Sequence, residues 1–227
     1  MTAAFRDRKD AGQRLAKALA DVAGARPVVL ALPRGGVPVA GEIASALAAP
    51  LDLVLVRKIG VPRQPEYAMG AIAEGDPPVV VRNEAVIRAL RVPNDDFEKA
   101  KRRELVELER RRRAYRGDRA PIDIENRTVI LVDDGIATGM TMRAAARAVE
   151  KRRAGRVVIA APVMAHDIAA DLRREFGDVV CVEEPEDLDS VGRHYVDFSQ
   201  VRDDEVREIL RRHARQAAAS PGPSIGH

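Results

Sequence analysis

The chain has 227 residues with 46% hydrophobic content, which supports a globular core and excludes a disordered polymer. Thirty-eight Lys and Arg against 35 Asp and Glu leave a formal charge of +3, too small to describe a nucleic-acid-binding chain. One cysteine excludes an internal disulfide, and no stretch reaches the ~20 apolar residues of a membrane-spanning helix.

Aromatic residues make up 3% and tryptophan is absent, so the core must be Val, Ile, Leu and Ala, the usual filling between a parallel sheet and its helices. Met1 to Lys17 is charged and lacks the apolar region of a signal peptide, so a cytoplasmic location is expected. Helical spacing of Leu15, Ala18, Leu19 and Val22 predicts a helix over Asp7 to Val22. The run Val28 to Leu32 predicts a buried strand, Pro33-Arg34-Gly35-Gly36 a turn, Val37 to Ala48 a helix, and Leu53 to Val56 a second strand ending at Arg57-Lys58. Ile59 to Glu66, rich in Gly, Pro and polar residues, predicts a loop. Tyr67 to Ala73 and Val79 to Arg82 flank the turn signal Glu74-Gly75-Asp76-Pro77 and predict an antiparallel hairpin.

Asp95 to Arg116 predicts a long charged helix with Glu-before-Arg pairs Glu98/Arg102, Glu107/Arg111 and Glu109/Arg113, each contributing about 0.2–0.5 kcal/mol. Its apolar stripe, Phe97, Leu105, Leu108 and Tyr115, is thin, so one face touches the body. These intrahelical pairs and the lack of interleaved aromatics argue against nucleic-acid binding; a solvated helix or a homodimer contact is expected instead. Strands then follow at Thr128 to Val132, Arg156 to Val163 and Val179 to Val182, with helices at Thr141 to Arg153 and Asp167 to Phe176 between them. This β-α-β-α-β rhythm predicts an α/β fold, Rossmann-like, with a mainly parallel central sheet and helices on both faces. Cys181 lies in the last of these apolar runs and is read as a packing residue rather than a nucleophile. A final helix over Asp203 to Arg215 precedes a tail, 216–227, expected to be disordered. The expected organisation is one domain over 1–215: a core at about 28–183, a charged helical insertion at about 84–120, and a hood with the C-terminal helix at about 185–215.

The informative stretch is Val129-Ile130-Leu131-Val132-Asp133-Asp134-Gly135-Ile136-Ala137-Thr138-Gly139-Met140-Thr141. A buried strand delivers two carboxylates at its C-terminal end, where open parallel sheets bind ligands. A Thr- and Gly-containing loop follows and opens a helix, so backbone amides, hydroxyls and the helix dipole favour a phosphate beside it. Like charge keeps the carboxylates off that phosphate; they suit the hydroxyls of an attached sugar. No Gly-Lys-Thr or Gly-Lys-Ser follows a glycine-rich loop, so the motif is not a P-loop.

This stretch resembles the thirteen-residue signature of the type I phosphoribosyltransferase family. The resemblance implies a type I phosphoribosyltransferase-like fold with a small hood, and a pocket for 5-phosphoribosyl-1-diphosphate. Asp133 and Asp134 would hold the ribose hydroxyls, and Ala137, Thr138, Gly139, Met140 and Thr141 the 5-phosphate. Arg34 and Gly35 resemble the family's diphosphate loop, and Arg57-Lys58 a basic pair that meets the leaving group. The implied reaction transfers phosphoribosyl to a small nitrogen acceptor, expected to be a nucleobase, with Mg²⁺ carried on substrate oxygens rather than in a firm protein cage. The alternative is a non-catalytic sensor of the same sugar diphosphate. Ile59 to Glu66 lies where the family places a lid, and Glu66 in it is a candidate base. Branches acting on 6-oxopurines carry Asp where this chain has Ala137 and Lys near Met164, so the acceptor is left open. Tyr195 and Phe198 are read either as base-stacking residues or as core; His166 and His194 lack metal-ligand spacing.

Overall fold

Alternating β-branched runs and amphipathic helices set the layers of the computed structural model, which describes residues 4–219. Asp7 caps α1 (Arg8–Leu19) by accepting from the Asp10 amide at 2.8 Å. The next elements are β1 (Val28–Ala31), α2 (Gly36–Ala46) and β2 (Leu51–Leu53). After β6 (Thr128–Val132) come α5 (Met140–Lys151), β7 (Arg156–Val163), α6 (His166–Phe176) and β8 (Asp178–Glu183). Between β2 and β6 lie β3 (Val56–Val61), β4 (Gln64–Ala73), β5 (Val79–Arg82), α3 (Glu84–Ala89) and α4 (Asn94–Tyr115); α7 (Asp203–Ala219) closes the described chain.

The central sheet runs β2-β1-β6-β7-β8, every pair parallel. Its middle strand, β6, is buried on both faces: Val129, Ile130, Leu131 and Val132 are all fully covered. Such a side chain contributes about 1.5–3 kcal/mol by leaving water, which is why a continuous apolar run marks this position. One face of the sheet shares a core with α1, α2 and α7, and the other with α5 and α6. The central strand therefore points its C-terminal end, and the two aspartates that follow, from a rigid platform.

β3, β4 and β5 form a separate antiparallel sheet that packs on α4 and α5. Two expectations are corrected there. The second strand of the central sheet is Leu51–Leu53, not Leu53 to Val56; Val56 opens β3 instead. Ile59 to Glu66 is not a loop: β3 continues to Val61, Pro62-Arg63 turn, and β4 begins at Gln64, with register shifts on either side of Gly60. Backbone pairing with β4 replaces the apolar periodicity that the segment lacks. The predicted hairpin on either side of Glu74 to Pro77 is present as β4 and β5.

α4 buries Phe97, Ala100, Leu108 and Tyr115, and its Glu107 and Glu109 each hold two arginines, Arg110 with Arg111 and Arg112 with Arg113. Those arginines keep both glutamates at about 2, below the usual carboxylate range. Glu98 pairs with Lys101 rather than with Arg102. Cys181 is half-buried, and burial pushes its thiol up to about 12, consistent with a packing residue. The last helix reaches Ala219, so residues 216–219 are helical, and the remainder of the expected tail, 220–227, lies outside the described residues.

Candidate functional site

Asp133 and Asp134 follow the last residue of β6, and the Asp133 amide still donates to Ala160 O of β7 at 3.3 Å. The Asp134 amide donates to Asp133 Oδ1 at 2.9 Å, which turns the two carboxyls into one unit. Burial and the neighbouring Asp134 charge hold the Asp133 carboxyl above the ordinary carboxylate range.

A residue far away in sequence completes the pair. Arg8, at the start of α1, places Nε and Nη2 each 2.8 Å from Asp134 Oδ2 and donates Nη1 to Ser199 O at 2.8 Å. Its guanidinium stacks 3.9 Å from the centre of the Phe198 ring. Tyr195 donates its hydroxyl to the Asp134 carbonyl at 2.6 Å. Tyr195 is buried against Phe5, with ring centres 5.3 Å apart, and so serves as core; Phe198 is exposed and stacks on the Arg8 guanidinium. Of the two readings, core holds for Tyr195.

The loop after the aspartates is stapled to β7 by Ile136 N to Val163 O at 2.9 Å and Ala165 N to Ile136 O at 3.1 Å. Met164 is fully buried opposite Ile136 in this staple. Ala137 and Thr138 are exposed, and Gly139 adopts φ 69°, a left-handed conformation that costs little only without a Cβ. Met140 and Thr141 begin α5, and no side chain caps its first turn. Its amides are therefore available to an anion at the positive end of the helix.

The Pro33-Arg34-Gly35-Gly36 turn, which contains a cis Pro33-Arg34 peptide, packs directly on the acidic pair. A Cβ at Gly35 would lie 2.0 Å from Asp134 Oδ2, so the glycine is there for close approach. Arg34 Nη1 lies 3.5 Å from Asp203 Oδ1, and the Tyr115 hydroxyl donates to that same oxygen at 2.7 Å. The fold thus gathers Arg34, Gly35, Asp133, Asp134 and the residues from Ala137 to Thr141 at one edge of the sheet.

Arg57, Lys58 and Glu66 lie on the β3-β4 hairpin, which packs on α5. Arg57 donates to Glu104 of α4 at 2.8 Å, and Lys58 Nζ donates to the Glu66 carbonyl at 3.4 Å. Both basic residues line a groove of about 480 Å³ with Arg63, Arg103 and Glu104. Glu66 is exposed on the hairpin. Sequence reasoning missed Arg8, Tyr115 and Asp203, which reach this edge from the start, middle and end of the chain, and no local motif marks any of them.

The family model for the phosphoribosyl transferase domain matches residues 79–196, a span that contains the acidic pair and its loop. Two Mycobacterium tuberculosis proteins with provisional phosphoribosyl transferase names are each 44% identical over 214 residues, 94% of this chain. The chain spans about half the length of these curated relatives, 48%. The crystal structure of TT1426 from Thermus thermophilus is 42% identical and superposes with a TM-score of 0.76, covering 92% of this chain and 98% of that one.

Proposed function

The chain belongs to the phosphoribosyl transferase family, and from that premise we propose that it transfers 5-phosphoribosyl from 5-phosphoribosyl-1-diphosphate to a nitrogen acceptor, releasing diphosphate. One observation supports the reading: Gly35 sits against Asp134, so the turn proposed to meet the diphosphate packs on the acidic pair whose loop leads into α5. Asp133 and Asp134 would accept the ribose hydroxyls. Thr138 to Thr141 would take the 5-phosphate on backbone amides and hydroxyls. Arg34 and the Gly35 amide would meet the diphosphate.

Positive charge develops at the anomeric carbon as the bond to diphosphate breaks, and the adjacent carboxylates stabilise it. Arg8 holds Asp134 in place from behind through Oδ2. Mg²⁺, bound through substrate oxygens beside the aspartates, would neutralise the departing diphosphate. The residues fit that use, because the adjacent Asp133 and Asp134 carboxylates would attract a cation carried on the substrate's oxygens. A nucleobase is the acceptor class proposed. Met164 is locked in the loop staple and Ala137 offers no acid, so neither reads a 6-oxo group here.

The test is diphosphate release from the sugar diphosphate and Mg²⁺ across a panel of purines, pyrimidines and simple amines. Acceptor-dependent release supports transfer. Tight binding of the donor with no release for any acceptor would replace it with the sensor reading. A further expectation concerns Gly35→Ala: the new methyl must displace either the Asp134 carboxylate or the turn, so kcat/KM should fall about 100-fold in a variant that still folds, at a stability cost of about 1–3 kcal/mol. Wild-type turnover in this variant would show that the turn does not meet the substrate.

A further inference from the structure

A strongly basic groove lies away from the acidic pair, where the end of α4 meets α7. A groove of about 460 Å³ there is lined by Arg113, Arg116, Arg119, Arg207, Arg211 and Arg215, with no carboxylate among its lining residues. Arg113 and Arg116 are neutralised by Glu109 and Glu74. Arg119, Arg207, Arg211 and Arg215 form no ion pair among the described residues. Three of these four repeat every fourth residue of α7, which places them in one row on the helix. A row of unpaired arginines on a folded surface repels itself, and no lining residue of the groove is an acid.

The α4 C-terminus would itself disfavour an anion, since its carbonyls form the negative end of the helix dipole. Arg119 answers that by donating to the Arg116 carbonyl at 3.4 Å and the Tyr115 carbonyl at 3.3 Å, covering them with a guanidinium.

An inner cavity of about 150 Å³ adjoins this groove, sharing Arg116, Arg119 and Ala214 with it and adding His213 and Asp52; the Asp52 carboxylate confines an anion to the outer groove. Arg116 Nε is buried with Asp52 Oδ1 3.6 Å away, and His213 Nε2 is buried without a hydrogen-bond partner. Both belong to residues that line this inner cavity.

We infer that this groove binds a small polyphosphate, such as the phosphate chain of a nucleoside triphosphate. The size suits a small molecule, and bidentate guanidinium contacts suit phosphate oxygens. Tyr115 lines the groove and bonds Asp203, which also faces Arg34, so the bound anion would sit close to the diphosphate turn without sharing its ligands.

The test uses inorganic tripolyphosphate in calorimetry at about 0.15 M salt, with the full chain and three variants, Arg211→Glu/Arg215→Glu, Arg211→Gln/Arg215→Gln and Arg34→Ala. Both altered arginines are exposed, so the fold should persist; the glutamine pair carries the same readout if the glutamate pair does not fold. The expected result is a groove-bound tripolyphosphate, weakened at least tenfold by either α7 pair, that remains when Arg34→Ala removes any binding at the diphosphate turn. Absence of binding would overturn the inference. So would loss confined to Arg34→Ala, which would assign the anion to the diphosphate turn. A single-stranded 20-nucleotide DNA that binds through the same arginines more tightly than tripolyphosphate would also overturn it, in favour of a nucleic-acid surface.

Discussion

The double substitution Asp133→Asn/Asp134→Asn should lower kcat/KM by about three orders of magnitude, while the fold persists. The expectation rests on charge rather than shape. Asparagine keeps the volume and one acceptor oxygen at each position but removes the negative charge beside the reacting carbon, where interactions of this kind are worth about 10²–10³ each. The change also removes the salt bridge between Arg8 and Asp134. Arg8 keeps its bond to Ser199 O and its stack on Phe198, so α1 remains docked. Asp133, whose ionisation already suffers from burial and from Asp134, gives up little stability on becoming neutral. Initial rates of diphosphate release, read with a thermal melt on the same sample, check both halves. Turnover within tenfold of the wild type would show that the ribose does not sit on these carboxylates.

The largest expected loss of stability is at Arg116→Met, about 3–5 kcal/mol. Arg116 is 6% exposed and donates Nη1 to Glu74 Oε2 at 2.6 Å, and Nη2 to Glu74 Oε1 at 3.0 Å and to Leu53 O at 2.9 Å. Asp52 Oδ1 lies 3.6 Å from its Nε. Burial opposes its charge, but the Glu74 hydrogen bonds outweigh that, and its basicity rises. Methionine fills the space and leaves two carboxylates without their cation. The network ties β2, the residue after β4 and the end of α4 together, so the loss should be cooperative. Urea unfolding monitored by circular dichroism gives the value; Arg116→Met combined with Glu74→Gln should recover part of it. A single-variant loss below about 1 kcal/mol would mean that the network is not a structural clamp.

Much of the central sheet could be read from the sequence because its strands are short apolar runs bounded by Gly, Pro and Asp. Arg156 to Val163 matches its predicted bounds, and the β6 run leads straight into the acidic pair. The hairpin from Val56 to Ala73 could not be read the same way. Gln64 to Tyr67 is exposed, so no buried alternation marks it, and its strand state comes from pairing across the Pro62-Arg63 turn. The site divides along the same line. Residues contiguous in sequence, Asp133 to Thr141 and Arg34-Gly35, follow from strand ends and small residues. Arg8, Tyr115, Tyr195 and Asp203 reach the same edge only through tertiary packing, and an arginine at the start of a helix carries no signal of what its guanidinium will meet. Nor could spacing show that Arg57 pairs with Glu104.

The central claim is that the edge formed by Arg34-Gly35, Asp133-Asp134 and the Thr138 to Thr141 loop binds 5-phosphoribosyl-1-diphosphate. Calorimetric titration of that compound with Mg²⁺ into the full chain tests it most directly, with a Thr138→Ala/Thr141→Ala variant alongside. Binding of one equivalent, weakened at least tenfold in the variant through loss of 5-phosphate contacts, is the result predicted. Absence of binding by the wild-type chain at millimolar donor, or equal affinity in the variant, would contradict it.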